Sequence, residues 1–486
     1  MKQEDSLKKN YLFQSAYQIL TVILPMLTSP YVSRVLGEEG IGIYSYTFSI
    51  VTYFVLFAKL GLHNYGNRCI ATVRDDPQKL SQTFSDLYAL HVLISLTSMA
   101  LYVGYVHFFG GEYRTIFLIQ GLYLIGQLMD INWFYFGMEK FRLTVTRNMA
   151  AKILTVVCVF LFVRTKEDVG IYVLILAAGS AVSESVVWLF LRGCVKPVKP
   201  DASNFRRHIG PMLVFFIPSI AVSLYKVMDK IMLGAMTDMG QVGYYENSEK
   251  IINICLGFVT ALGTVMMPRM THLLANGHEG EGKQLFHKSS GFILILSYAM
   301  AFGIVGVSGV FPAVFWGEAF TACGSLLAGL AVSLPFTAFA NVIRTQYLIP
   351  RHRDREFIGS VCAGAVINFV MNFLCIPRWN AFGAVLGTVA AEAAVCLIQI
   401  FAVRKEEKMG RYLFESLPFL LFGALMGGLV YALGVWMGPG LGTLIVQVVS
   451  GGILYLLPTG LYLYHKQPEM MEMIKKKTVG RLQKKP

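Results

Sequence analysis

Apolar runs of about twenty residues follow one another along most of the chain, separated by short polar gaps. Each run is long enough, as a helix, to cross a hydrocarbon core of roughly 30 Å. The pattern predicts about fourteen transmembrane helices. The first six cover about 11–33, 41–65, 82–108, 114–136, 147–163 and 170–191. A second six cover about 210–234, 242–268, 289–312, 323–348, 357–377 and 382–403, and a last pair about 412–437 and 442–464. An all-α polytopic membrane protein is the fold class this implies, with no stretch left over for a soluble domain.

One stretch departs from the apolar pattern. Between Val222 and Phe258, Lys226, Asp229 and Lys230 fall near the end of one segment, and Glu246, Glu249 and Lys250 near the start of the next. A lipid-facing charge at depth costs a few kcal/mol, so such residues normally face a bundle interior or a wet cavity. The hairpin is therefore expected to line a polar cavity.

Composition and charge agree with the class. Of the 486 residues, 55% are hydrophobic and 15% charged, against roughly 25% charged in soluble domains. Lys and Arg gather in alternate gaps: Lys8 and Lys9, then Arg68 and Arg74, then Lys140, Arg142 and Arg147, then Arg206 and Arg207, and so on to the tail. Positive residues mark the cytoplasmic side, so both termini are expected there, and the net charge of +13 needs no nucleic-acid partner. The basic tail from Lys475 to Lys485 suits solvent or anionic lipid headgroups. The eight cysteines are scattered, without a CxxC pair, and read as small packing residues. No cleaved signal peptide is expected at the polar start. GxxxxGK[ST], HExxH and GxSxG are absent, and the histidines do not cluster at ligand spacing, so neither catalysis nor a metal or cofactor site is expected.

An internal repeat groups the helices. Leu36-Gly37, a short acidic turn and Ile41-Gly42-Ile43-Tyr44 recur as Leu233-Gly234, a short turn and Val242-Gly243-Tyr244-Tyr245. Leu60-Gly61 with Arg68 recurs as Leu262-Gly263 with Arg269, at nearly the same offset. Two matches in one order imply two six-helix lobes related as parallel repeats, residues 1–195 and 196–408, with the substrate path between them. Helices thirteen and fourteen (409–465) and a basic tail (466–486) complete the expected organisation.

Several longer segments carry a resemblance. They are NYLFQSAYQILTVILPMLTSPYVSRVLGEEGIGIYSY, LGLHNYGNRCIA, WFYFGMEKFR, MDKIMLG followed by VGYYENSEKI, IPRHRDREF, and the run from Ile376 to Glu392. In order over about residues 7–465, they resemble the Wzx-type oligosaccharide (polysaccharide biosynthesis) flippases of the multidrug/oligosaccharidyl-lipid/polysaccharide exporter superfamily. The resemblance implies that an undecaprenyl-pyrophosphate-linked saccharide moves from the inner to the outer leaflet of a bacterial plasma membrane by alternating access. Polysaccharide assembly proteins are partners it would allow. A lipid II flippase or multidrug/cation antiporter of the same superfamily is the alternative, although the extra helix pair and numerous cations argue against an antiporter. A membrane-embedded glycan polymerase would need a large outer loop, and every outer loop here is short.

Chemistry narrows the residues. A sugar diphosphate on a lipid needs fixed cations in a hydrated cavity while its tail stays among lipids. The cations in or at the edges of spans are Arg34, Lys59, Lys226, Lys230, Lys250 and Arg344. At about 1.5 Å per residue, Lys59 and Arg344 fall toward the cytoplasmic mouth and the other four toward the outer one. Each has a structural counterpart: Arg34 and Lys59 suit snorkelling, a Lys–Asp pair could use up one of Lys226 and Lys230, and Glu246 and Lys250 stand at i, i+4. Arg344 has no acid within a turn. Asp130, Asp229, Glu249 and Glu392 are the candidates for coupling to a proton or sodium. Asp86 suits a helix start, Glu184 a close-packed small-residue run, and Tyr44, Tyr46, Tyr244 and Tyr245 an interfacial aromatic belt. Topology is checked by a reporter fused after Pro486: activity only in the cytoplasm is expected, and activity only outside it would overturn the orientation.

Overall fold

The computed structural model describes residues 2–466, apart from the side chains of residues 2–19, 21–22, 141–142, 218–219, 221–222 and 224–226. The described residues are helical, with no strand. In the first half the helices are α1 (Lys2–Lys59), α2 (Leu62–Val73), α3 (Pro77–Phe109), α4 (Arg114–Gln120), α5 (Leu122–Leu128), α6 (Asn132–Gly137), α7 (Phe141–Phe162), α8 (Val169–Val186) and α9 (Phe205–Met236). In the second they are α10 (Met239–Ala275), α11 (Glu279–Val307), α12 (Phe311–Phe315), α13 (Cys323–Ala331), α14 (Ser333–Ile343), α15 (Asp354–Trp379), α16 (Ala381–Val403), α17 (Met409–Met437) and α18 (Leu441–Lys466).

Among the described residues, eleven helical stretches are long and apolar enough to cross a membrane, so this is a multi-pass membrane protein. That number is not the expected fourteen. The first two expected helices run together through a kink at Gly37 (φ 70°, ψ −178°) and count as one stretch. The fourth is broken into α4, α5 and α6, none of them of spanning length. Residues of α9 whose side chains lie outside the description interrupt the seventh.

The outward residues fit a lipid solvent. Leu101, Phe108, Val435 and Trp436 are exposed, Trp436 to 82%, which in water would make an unusually apolar surface. In lipid no hydrophobic force drives helices together; packing and interhelical hydrogen bonds take its place.

The described residues divide into two compact units: residues 2–247 with 365–384, and residues 248–364 with 385–466. In the first unit one core joins α2, α3 and α6 through Leu62, Leu87, Trp133 and Phe134, and a second forms around Val51, Ala58, Tyr102 and Phe117. The second unit packs α11 against α14 and α17 around Ile293, Phe339, Ile343 and Phe419.

The repeated glycine motif brings two turns of the first unit together. A Cβ on Gly42 would lie 1.7 Å from the Met239 carbonyl oxygen, and one on Gly243 would lie 2.0 Å from that of Glu38. No side chain fits at either distance, so backbone meets backbone at equivalent positions of the two repeats.

Asp86 does more than begin a helix. It is buried and accepts from the Gln82 amide at 2.8 Å, the Asp201 backbone N–H at 2.7 Å and the Asn204 amide at 2.8 Å. The polar segment before α9 is thereby tied to α3. Asp86→Ala takes the acceptor from the Asp201 N–H and the Asn204 amide, while the Gln82 amide keeps the Lys199 backbone oxygen, at a cost of about 1–3 kcal/mol. A lower unfolding midpoint in detergent is expected, and an unchanged one would show that the tie contributes nothing.

Candidate functional site

The charged hairpin at the end of α9 and the start of α10 supplies the first constellation. Asp229 is buried, and its carboxylate accepts from the Tyr245 hydroxyl at 2.6 Å, the Asn368 amide at 2.9 Å and the Asn372 amide at 2.5 Å. Asn372 also donates to the Asn368 side-chain oxygen at 3.2 Å, while its own side-chain oxygen is buried without a hydrogen-bond partner. α9 and the parts of α10 and α15 that belong to the first unit thus place a carboxylate among amide and phenol groups. Such a carboxylate can exchange those donors for a bound proton or a hard cation.

One residue on, Lys230 donates to Glu246 Oε2 at 3.0 Å, and Ser45 donates to the same oxygen at 2.7 Å. Asn247 donates to Ser33 at 2.9 Å. Of the other expected cations, Arg34 is exposed on α1, and Lys250, beside Glu249 on α10, is half-buried as that acid is. The side chain of Lys226 lies outside the described residues.

A second constellation forms around Asp130. The Asn132 side chain donates to Asp130 Oδ1 and to Glu184 Oε2, both at 2.7 Å, so one amide bridges two acids. Arg147 pairs with Glu184 Oε2 at 3.2 Å, and its second terminal nitrogen donates to Asn132 Oδ1 at 3.2 Å and Asn148 Oδ1 at 2.6 Å. Lys59, His63 and His91 stand within electrostatic reach of Asp130. With both acids ionised and both histidines neutral, Lys59 and Arg147 balance Asp130 and Glu184, so the cluster can hold its charges in apolar surroundings.

The second unit contains Arg344 and Glu392. Glu392 is buried on α16. Arg344 begins a single π-helical turn, Arg344–Leu348, directly after α14. Its guanidinium carbon lies 5.5 Å from the centre of the Phe357 ring and borders a cavity of about 270 Å³. A π-turn re-aims side chains relative to the preceding helix, and such turns are frequent at functional sites.

These arrangements can be compared with known proteins. Residues 7–274 match the family model described as polysaccharide biosynthesis protein. The chain belongs to that family. It is 24% identical over 415 residues to a protein of Escherichia coli (strain K12) provisionally described as an O-antigen transporter, which covers 83% of this chain and 98% of that protein. In fold it is similar to the lipid II flippase MurJ in an inward closed conformation, with a TM-score of 0.74, 12% identity and coverage of 93% of this chain and 98% of that one. An inward-facing multidrug resistance MATE family transporter gives a TM-score of 0.54 at 14% identity, covering 79% and 97%. At these identities the solved structures establish the shared helical fold and nothing finer.

Within this family member the structure brings together some expected residues and adds others. Lys59 stands within electrostatic reach of Asp130, and Lys230 meets Glu246 beside Asp229. Tyr245, expected in an interfacial belt, is instead buried against Asp229, because its hydroxyl satisfies an acid that lipid cannot. Arg147, assigned from sequence to a cytoplasmic loop, is buried within α7 and paired with Glu184. Asn368 and Asn372 carry no charge to mark them among the apolar residues, yet their spacing of four puts both amides on one helix face, which is the signal the sequence holds for them.

Removing one partner of a buried ion pair costs roughly 3–5 kcal/mol; with Arg147 6% and Glu184 22% exposed, the lower end applies here. Arg147→Ala should therefore lower the unfolding midpoint markedly, and Arg147→Met with Glu184→Gln should recover at least half of the loss. A wild-type midpoint for Arg147→Ala would remove the pair from the structural account.

Proposed function

We propose that this chain carries an undecaprenyl-pyrophosphate-linked saccharide from the cytoplasmic to the outer leaflet of a bacterial plasma membrane, with both termini in the cytoplasm. The observation that carries this reading is the end-to-end match to the protein described as an O-antigen transporter, 98% of which is covered. The fold shared with a flippase and a MATE transporter supports movement of a substrate rather than chemistry on it. So does the absence from the sequence of a nucleotide-binding or hydrolytic motif.

The physical case rests on charge. A pyrophosphate headgroup is dianionic or more, and leaving water for apolar surroundings is prohibitive unless fixed cations receive it. Arg344, Lys226, Lys230, Lys250, Arg34 and Lys59 provide those cations at two depths, and two six-helix lobes alternate the access. Arg344, beside a cavity, receives the headgroup from the cytoplasm. Asp229, set among amides that can release it, takes up the coupling ion, proton or sodium, with Asp130, Glu249 and Glu392 as further acids on the path.

The test uses cells whose surface glycan depends on this transporter. Arg344→Ala and Lys226→Ala should each cut surface glycan about tenfold or more at unchanged protein level, the effect of losing one charge-assisted contact to phosphate. Normal surface glycan in both variants would take these cations out of the transport path.

A further inference from the structure

The loop between α16 and α17 sorts its charges. From Arg404 to Lys408 it reads RKEEK, with acids and bases close enough in sequence to neutralise one another. The structure keeps them apart. Glu406 is tied back to the second unit: Arg353 Nη1 donates to its Oε1 at 2.9 Å, and the Tyr347 hydroxyl donates to its Oε2. Glu407 is buried and accepts from the Tyr412 hydroxyl at 2.8 Å. Arg404, Lys405 and Lys408 are exposed instead, and none of the three side chains makes an ion pair or hydrogen bond to a described residue. Exposed bases in other gaps are matched: Arg74 with Glu139 at 2.7 Å, Lys79 with Asp76 at 3.3 Å and Arg411 with Glu415 at 2.9 Å.

These cations stand at the end of an apolar face. Leu397 and Phe401, one turn apart on α16, are 49% and 59% exposed, and Arg404 and Lys405 follow at the same helical spacing. The Arg404 guanidinium carbon lies 5.1 Å from the centre of the Phe401 ring. That contact keeps a full positive charge directly beside a ring that faces lipid. The patch therefore passes from hydrocarbon to headgroup level within about two helical turns.

A ligand that uses all of it carries a negative group joined to an acyl chain. A soluble acidic protein or a nucleic acid meets the cations and leaves Leu397 and Phe401 uncovered. A free phosphate does the same. A zwitterionic phospholipid brings its own ammonium group, which three cations repel. We infer that this face is a binding site for an anionic phospholipid, its headgroup phosphate among Arg404, Lys405 and Lys408 and an acyl chain along Phe401 and Leu397. Glu406 and Glu407, held by Arg353, Tyr347 and Tyr412, leave the outward side of the loop free of negative charge. A lipid bound there holds the join of α16 and α17 at the membrane surface. The assignment does not depend on the transport reading.

The full chain, purified in detergent, is titrated with phosphatidylglycerol, phosphatidylcholine and glycerol 3-phosphate, and binding is read as ligand-dependent shifts in unfolding midpoint. The wild type should bind phosphatidylglycerol about tenfold or more tightly than either other probe, and the preference should shrink at about 1 M salt. Arg404→Gln should lose about fivefold, and Lys405→Gln with Lys408→Gln about tenfold or more, while Arg404→Lys keeps most of the affinity. Because all three side chains are exposed, these variants should fold as the wild type does. Lys283→Gln with Lys288→Gln removes the same charge from α11, where Glu279 and Glu281 stand close in sequence, and should leave the affinity unchanged. Equal binding of phosphatidylglycerol and phosphatidylcholine, or wild-type affinity in both loop variants, overturns the site. An equal loss in the α11 variant also overturns it, by reducing the effect to net charge. Glycerol 3-phosphate binding as tightly as phosphatidylglycerol does so too, since it makes the loop a site for small anions and not for lipid.

Discussion

A polar group in hydrocarbon has no water to turn to, and each one left unsatisfied costs several kcal/mol. This constraint organises the interior of the protein. Asp229 is held by a phenol and two amides from different helices. Asp130 and Glu184 share one asparagine, with Arg147 closing the other side. Asp86 gathers three donors where a polar segment approaches α3. Because the partners come from helices far apart in sequence, each satisfied charge is also a tertiary tie.

The ties differ in what breaking them would expose. The Arg147–Glu184 pair, once separated, leaves two charges in apolar surroundings, so it suits a part that stays put. The contact of Gly42 with the Met239 carbonyl and of Gly243 with the Glu38 carbonyl is different in kind. It is made of close-packed backbone, and parting it strands no charge. Charge networks keep helices in fixed groups, whereas dispersion contacts can open and reform at smaller cost.

Cations are treated with the same economy. Lys230 is matched by Glu246, and Arg147 by Glu184, while Arg344 lies over an aromatic ring at the edge of a cavity. An aromatic face attracts a guanidinium without neutralising its charge. Which neighbours each cation meets is a matter of three-dimensional surroundings, since all of these residues look alike as isolated charges in apolar runs.

How much was legible in the chain follows from what each feature depends on. Apolar runs of spanning length declare the all-helical membrane class, because the thickness of the bilayer sets the length of the run. The repeated Leu-Gly motif marks equivalent turns, and the charges between Val222 and Phe258 announce a polar interior, since lipid would not tolerate them. Pairing was another matter. Linear order placed Arg147 with loop cations and Tyr245 with interfacial aromatics, although the first is buried against Glu184 and the second against Asp229. The break of one expected span into α4, α5 and α6 and the π-turn at Arg344 likewise depend on how helices meet. Transfer into lipid is a property of each segment and can be read one segment at a time, so sequence alone determined the class, the repeat and the presence of buried charge. Partner choice depends on distances of a few ångströms between segments remote in sequence, and only the tertiary structure decided it.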